Sequence, residues 1–286
     1  MKKVLLDIVG EENFSDSTAS LLAYSYDASP QFQAIPDAVI SPRNAQEISA
    51  IVKLCNEYKV PIIPRGSGTN LAAGTCPTEG GIVLTFTHMN QLLEVDESNL
   101  TVTVQPGLVT QKLITEVEKR GLFYPPDPSS MKISTIGGNI NENSGGLRGL
   151  KYGVTRDYVL GLEVVLPNGE IIRTGGKLAK DVAGYDLTRL FVGSEGTLGI
   201  ITEATLKLIP MPETTKTMLA QYDRLEDAAE TVSSIIANKI IPTTLEFLDK
   251  PTLQVVEDFA KIGLPTDVEA VLLIEQDGPP EIVERD

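Results

Sequence analysis

Hydrophobic positions divide the chain into alternating helix-like and strand-like stretches. Over residues 44–58, NAQEISAIVKLCNEY, Ile48, Ile51, Val52 and Cys55 recur at i, i+3, i+4 and i+7, which predicts an amphipathic helix. Asn44 and Glu47 stand at its start as a variant capping box. The apolar run VPIIP at 60–64 predicts a strand, and GIVLTF at 81–86 predicts another. Across 92–105, LLEV, a DESN turn and the alternating LTVTVQ predict a hairpin. A second amphipathic helix, over 110–120, closes at Gly121. Residues 162–166 and 170–173 flank Asn168-Gly169, a strong hairpin signal. In GIITEATLKLI, residues 199–209, Ile200, Ala204, Leu206 and Leu208 share one face of a strand.

The pattern changes after Pro210-Met211-Pro212. Strands over 217–222, 243–248 and 268–275 alternate with helices over 225–238 and 251–262. Leu225, Ala228, Ala229, Val232, Ile235 and Ile236 share one face of the first of these helices. Residues 279–286, PPEIVERD, match the first turn of a third helix. The expected fold class is α+β, with short strands broken by glycine turns rather than a regular βαβ array, followed by a small ferredoxin-like α/β module that looks incomplete. No internal repeat or low-complexity tract is present.

Composition narrows the function classes. The 286 residues, 42% hydrophobic and 22% charged, suit a soluble globular protein of two domains. No stretch is apolar enough to span a membrane. The opening MKKVLLDIVGEENFSD turns acidic without a small-residue cleavage site, so no signal peptide is expected. A net charge of −15, from Lys+Arg 24 against Asp+Glu 39, argues against nucleic acid. Two cysteines are too few for a zinc or iron–sulfur site, and no metal is expected. Cys55 reads as a buried core thiol, Cys76 lies in a loop, and a disulfide between them is disfavoured. The cytoplasm is the expected compartment, with peripheral membrane attachment as the variant.

Three glycine-rich bends carry the candidate chemistry: PRGSGTN at 64–70, STIGGNINENSGG at 134–146 and GSEGTLGI at 193–200. Glycine permits left-handed turns and close approach, so main-chain N–H groups can converge on an anion. In an acidic chain such local dipoles must hold any phosphate-bearing ligand. Neither G-x-G-x-x-G nor G-x-x-x-x-G-K-[ST] occurs, which disfavours a Rossmann fold and a P-loop. Each bend alone also reads as a plain structural turn.

PRGSGTNLAAG, YPPDPSSMKISTIGGNINENSGGLRGLKYG and KDVAGYDLTRLFVGSEGTLGIITEA, in that order, resemble the FAD-linked flavoproteins of the vanillyl-alcohol oxidase type. The branch most resembled is that of glycolate oxidase FAD-linked subunits and D-lactate dehydrogenases, over roughly residues 36–276. The resemblance implies an N-terminal segment (1–35), a two-subdomain PCMH-type FAD-binding domain (36–212) and a partial substrate or cap domain (213–286). It implies that Pro64, Arg65, Gly66, Ser67, Gly68, Thr69, Asn70 and Leu71 lie against the FAD pyrophosphate. Asp127, Ser134, Thr135, Gly137 and Gly138 would run along the pyrophosphate towards the flavin, with Asn141 and Gly145 continuing that wall. Glu195, Gly196, Ile200 and Ile201 would lie near the adenosine and ribose. Some relatives attach FAD through a histidine where Thr69 stands here, so FAD is expected to be non-covalent.

The implied activity is oxidation of a small D-2-hydroxy acid, glycolate or D-lactate, by hydride transfer to flavin N5. Iron–sulfur or other electron-transfer subunits are the implied partners. The family's H-x-G-D-G-N-x-H type segment, its metal-binding set and its cap arginines have no counterpart here, so no catalytic residue is assigned. Three readings stay open: an oxidoreductase needing a missing C-terminal half, a flavin-binding module without turnover, or a non-enzymatic subunit that associates through the incomplete cap. His88, the sole histidine, reads as an exposed turn residue. Lys151, Tyr152 and Lys180 read either as surface groups or as neighbours of flavin or substrate carboxylate, and Tyr185 and Asp186 as helix-start residues.

Overall fold

A computed structural model describes residues 1–286 as two units. The first holds Met1–Tyr124, Pro128–Ser144 and Thr155–Ile209, and the second holds Pro125–Asp127, Gly145–Val154 and Pro210–Asp286.

The first unit opens with α1 (Lys2–Val9), β1 (Phe14–Ser15) and α2 (Thr18–Ala23), in a stretch where the sequence gives no long periodic run. Next come β2 (Ala38–Ile40), α3 (Ala45–Tyr58), β3 (Ile62–Arg65) and β4 (Ile82–Thr85). They form a four-stranded sheet in the order β1-β2-β4-β3. Both β2 and β3 run parallel to β4, with Ile40 opposite Leu84 and Arg65 opposite Thr85. Parallel strands need a crossover, and α3 supplies it. Its predicted face, Ile48, Ile51, Val52 and Cys55, is buried in one core with Ile40, Ile82, Leu84 and with Leu5 and Val9 of α1. Both cysteines are free and buried, and burial pushes the Cys55 thiol up to about 11.

A second sheet follows. Its neighbourhood comprises β5 (Leu92–Asp96), β6 (Thr101–Val104), α4 (Thr110–Glu118), β7 (Leu122–Phe123) and α5 (Ile136–Glu142). After α6 (Gly149–Tyr152), which belongs to the second unit, come β8 (Val159–Val165), β9 (Ile171–Gly175), α7 (Leu187–Phe191), β10 (Ile200–Lys207) and β11 (Ile209–Pro210). The antiparallel order is β5-β6-β10-β8-β9. Both predicted hairpins form, β5–β6 and β8–β9, and Gly169 takes the left-handed conformation (φ 81°) that the Asn-Gly turn needs. Ile200, Ala204, Leu206 and Leu208 are buried as expected, and so are Ile201 and Thr202.

Two expectations change here. The stretch 134–146, read as an open bend, contains α5, which ends where Asn143 turns left-handed (φ 50°). Its glycine content answers to packing: a Cβ on Gly137 would lie 2.6 Å from Pro106 Cβ. The strand 199–209 is divided, because at Leu208 the chain leaves the ladder and its N–H donates to Leu100 O at 2.7 Å.

The second unit adds β12 (Thr214–Tyr222), α8 (Leu225–Ala237), β13 (Thr244–Asp249), α9 (Lys250–Ala260), β14 (Ala270–Gly278) and α10 (Pro280–Arg285). Its sheet order is β12-β14-β13, with β14 antiparallel to both neighbours. This makes β12 and β13 mutually parallel, the split β-α-β of ferredoxin-like modules. The predicted apolar face of α8 is only partly used: Ala228 is buried, whereas Leu225 and Ile236 stay exposed. Three strands at about 4.8 Å spacing are too narrow to cover the whole stripe of a helix. No helix of the protein is long and apolar enough to cross a membrane.

The cap on α3 is a modified box. Asn44 Oδ1 accepts from Glu47 N–H at 2.9 Å, but the Glu47 carboxylate reaches back to Arg43 N–H at 2.9 Å and to the Asn44 side-chain amide at 3.4 Å rather than to the Asn44 main-chain N–H. Asn44→Ala should therefore lower stability by about 1 kcal/mol. Denaturant unfolding of both proteins checks this, with an unchanged midpoint contradicting it.

Candidate cofactor site

The first bend leaves the carboxyl end of β3, where α/β sheets place ligands. Gly68 adopts φ 68°, and a Cβ there would meet the Arg65 guanidinium, with Cζ at 2.7 Å. Arg65 is thus folded back under the bend and buried. Its Nη1 donates to Thr75 Oγ1 at 3.4 Å, and burial pushes its pKa down while the charge of Asp27 opposes that. Ser67 Oγ donates to Ile133 O. The N–H groups of residues 67–72 find no backbone carbonyl, so a run of main-chain donors is left for another acceptor. Thr69 is half-buried, and Leu71 is exposed.

The second bend meets the first at Gly66. A Cβ on Gly66 would collide with Thr135 Oγ1. That hydroxyl is buried, in a residue 8% exposed, and has no hydrogen-bond partner. Buried polar atoms are nearly always satisfied, so an orphan here points to a missing acceptor or donor. Gly138 lies beside the same oxygen, at 3.4 Å from its would-be Cβ. Ser134 is tied instead to α4, its Oγ lying 3.2 Å from Thr110 Oγ1, which also accepts from Asn139 Nδ2 at 2.6 Å.

Asn141 joins the second bend to the third. Its Nδ2 donates to Gly137 O at 2.8 Å, and its Oδ1 accepts from Gly196 N–H at 3.0 Å. Glu195 N–H donates to Asn141 O at 3.0 Å and Gly193 N–H to Ile140 O at 2.9 Å. Glu195 and Gly196 both have left-handed backbones, φ 53° and 75°. The third bend then returns to the first: a Cβ on Gly196 would lie 2.8 Å from Pro64 Cγ, and one on Gly74 would lie 3.4 Å from Glu195 Oε2. The three bends form a closed ring. Beside it a cavity of about 270 Å³ opens among Pro64, Gly196, Thr197, Gly199 and Ile200, with Val165 behind. The side chains of Ile200 and Ile201 are themselves in the core, so only their main chain is available to a ligand.

The ring is acidic apart from Arg65. Burial pushes Glu142 above the usual carboxylate range, and the charges of Glu195 and Asp27 add to this. Asp27 is also pushed up by burial, but hydrogen bonds from Ser29, Asn70 and Thr75 outweigh that and hold it below its ordinary value.

Asp127 and Gly145 belong to the second unit. Asp127 Oδ1 accepts from Arg148 N–H at 3.2 Å, and Arg148 Nε lies 3.6 Å from Oδ2. Burial pushes Asp127 up, opposed by Arg148. Gly146, rather than Gly145, is the glycine without room, since a Cβ there would lie 2.6 Å from Asp127 C. Lys151 and Tyr152 both bind Asp277 in that unit, Tyr152 Oη at 2.9 and 3.0 Å from its two oxygens. His88 is exposed in the turn after β4, Lys180 and Tyr185 are exposed, and Asp186 caps α7 by accepting from Arg189 N–H at 2.9 Å. The sequence reading missed Asp27, Ser29 and Thr75. The one legible sign was Asp27-Ala28-Ser29, whose Asx turn closes through Ser29 N–H at 2.8 Å.

Free main-chain donors, an orphan hydroxyl, bare glycines and a buried cation suit a diphosphate joined to ring systems, and so define a dinucleotide-binding α+β protein. Residues 36–175 match the FAD binding domain, and residues 211–286 match the C-terminal domain of FAD linked oxidases. The chain belongs to the FAD-linked oxidase family, whose cofactor is FAD. It is 74% identical over all 286 residues to glycolate oxidase subunit GlcD of Bacillus subtilis, covering 61% of that protein. It is 40% identical over 280 residues, 96% of this chain and 58% of the relative, to a D-lactate dehydrogenase of Anaerostipes hadrus. The chain thus spans roughly three fifths of the curated relatives it matches. A solved alkyldihydroxyacetonephosphate synthase superposes at TM-score 0.85 and 24% identity, over 99% of this chain and 56% of that one, and shares the fold.

Thr135→Val removes the orphan hydroxyl at constant shape. Thermal stability should hold or rise slightly, while FAD affinity should fall by about threefold to tenfold, the worth of one hydrogen bond. Paired melting curves and flavin titrations check this; a loss of stability with unchanged affinity would assign the hydroxyl a structural role.

Proposed function

We propose that this chain is the flavin-binding portion of an enzyme that oxidises a small D-2-hydroxy acid, glycolate or D-lactate. The observation that carries the reading is the closed ring of bends, held by Gly66 against Thr135, Asn141 against Gly196 and Gly196 against Pro64. The names of the two relatives supply the substrate class. When bound, FAD supplies the hydride acceptor that oxidation of an alcohol carbon requires.

The residues divide the work as follows. Main-chain N–H groups of 67–72 and the Thr135 hydroxyl donate to the diphosphate, and the Arg65 charge lies beneath them. The Glu195 carboxylate accepts from ribose hydroxyls, and the main chain of Gly196, Ile200 and Ile201 lines the adenosine end beside the cavity. Ser134, Gly137, Gly138 and Asn141 shape the wall toward the flavin, some by packing and some by holding neighbouring bends. Thr69 offers no imidazole nitrogen, so the cofactor is held non-covalently. The enzyme's partner is an iron–sulfur or other electron-transfer subunit, and its compartment is the cytoplasm.

One observation favours a second reading, a flavin-binding portion that turns over only with further polypeptide. The sole histidine, His88, sits exposed in the turn after β4 and offers no buried base for the substrate hydroxyl.

Purified protein should show the flavin absorption bands and release intact FAD on acid precipitation. Anaerobic glycolate or D-lactate should bleach those bands under the first reading. A yellow protein that neither acid bleaches supports the second reading, and a colourless protein that refuses FAD overturns both.

A further inference from the structure

The N-terminal segment wraps the first bend, and its contacts centre on Asp27, which is 8% exposed. Asp27 Oδ1 accepts from Ser29 N–H at 2.8 Å. Its Oδ2 accepts from Asn70 Nδ2 at 2.8 Å and from Thr75 Oγ1 at 3.1 Å. Thr75 Oγ1 in turn receives Arg65 Nη1, so the buried guanidinium and carboxylate communicate through one hydroxyl. Two main-chain bonds reinforce the wrap: Ala28 N–H to Gly68 O at 3.0 Å, and Ala73 N–H to Ser29 Oγ at 2.9 Å. The Tyr24 ring lies 5.4 Å from the Arg65 guanidinium.

A buried cation with no partner is costly, and a buried cation free to swing would not stay under the bend. The glycines that make the bend accessible also leave it without side-chain packing of its own. Something outside the bend must therefore fix both its path and its charge.

We propose that Asp27 is a positioning residue for the cofactor: through Asn70, Thr75 and Arg65 it locks the first bend in its anion-receiving form before any ligand arrives. The inference rests on the FAD reading above. Preorganisation of this kind raises affinity because the ordering cost is met during folding rather than on binding. The contrary view is that Asp27 is an ordinary buried polar group whose loss lowers global stability and nothing else.

Wild type, Asp27→Asn and Asp27→Ala are titrated with FAD by flavin fluorescence, and the FAD-free proteins are compared by amide hydrogen exchange. Asp27→Ala should weaken FAD binding about tenfold or more, the cost of reordering one or two side chains on binding. Asp27→Asn should weaken it as well, because its Oδ1 keeps the turn to Ser29 while its amide nitrogen faces the Asn70 and Thr75 donors and cannot accept from them. Amides of residues 66–76 should exchange faster in both variants, while those of the five-stranded sheet stay as in wild type. The proposal is overturned if both variants bind FAD within about twofold of wild type, or if bend and sheet speed up equally. Should Asp27→Ala fail to fold, Thr75→Val cuts the same relay without changing charge and is held to the same two readouts. A wild type that takes no FAD would sink the flavin reading instead, and exchange in the bend would then decide on the lock alone.

Discussion

The whole arrangement depends on satisfying a diphosphate inside a protein of net charge −15. Distance and strength settle how this is done. Surface charges farther off than about 8–10 Å are screened at physiological salt, so the overall repulsion is weak at the site itself. A hydrogen bond to a charged acceptor is worth about 1.5–3 kcal/mol, and the first bend offers several main-chain donors at once. Local dipoles therefore outweigh the global field, provided the bend already holds its shape. The glycines allow that shape, and the contacts between bends enforce it.

The enforcement is mutual. Gly66 has no space for a side chain because Thr135 stands against it, and Gly196 has none because Pro64 does. Asn141 spends its side chain on the third bend rather than on a ligand. Each bend thus supports the next, and small shifts in one are felt by all. The parallel strands β3 and β4 and the crossover helix α3 provide the rigid base from which the first bend springs.

The candidate site was legible in the sequence where glycine identity alone carries the constraint. Gly66, Gly68 and Gly196 sit in bends whose composition announces close approach, and all three prove to lack room for, or conformational tolerance of, a side chain. The direction of Arg65 was not legible, because a phosphate-loop arginine can point out to a ligand or back under its own turn, and only the fold chooses. Asp27 was hidden for a similar reason: apart from Ser29, its partners Asn70 and Thr75 lie 43 and 48 residues along the chain. The helix α5 was masked by its glycines, of which Gly137 packs against Pro106 and Gly138 lies beside the Thr135 hydroxyl instead of opening a loop. In the second unit the periodicity of α8 identified the helix correctly but overstated its burial, since the pattern does not reveal how wide a sheet it meets.

The most direct test compares dissociation constants of FAD and riboflavin for the same protein. Riboflavin carries the isoalloxazine but neither phosphate nor adenosine. If main-chain donors and the cation beneath them hold the diphosphate, FAD should bind at least about a hundredfold more tightly, the equivalent of one or two charge-assisted hydrogen bonds. Equal affinity for the two ligands would contradict the account, because the ring of bends would then contribute nothing to holding the cofactor.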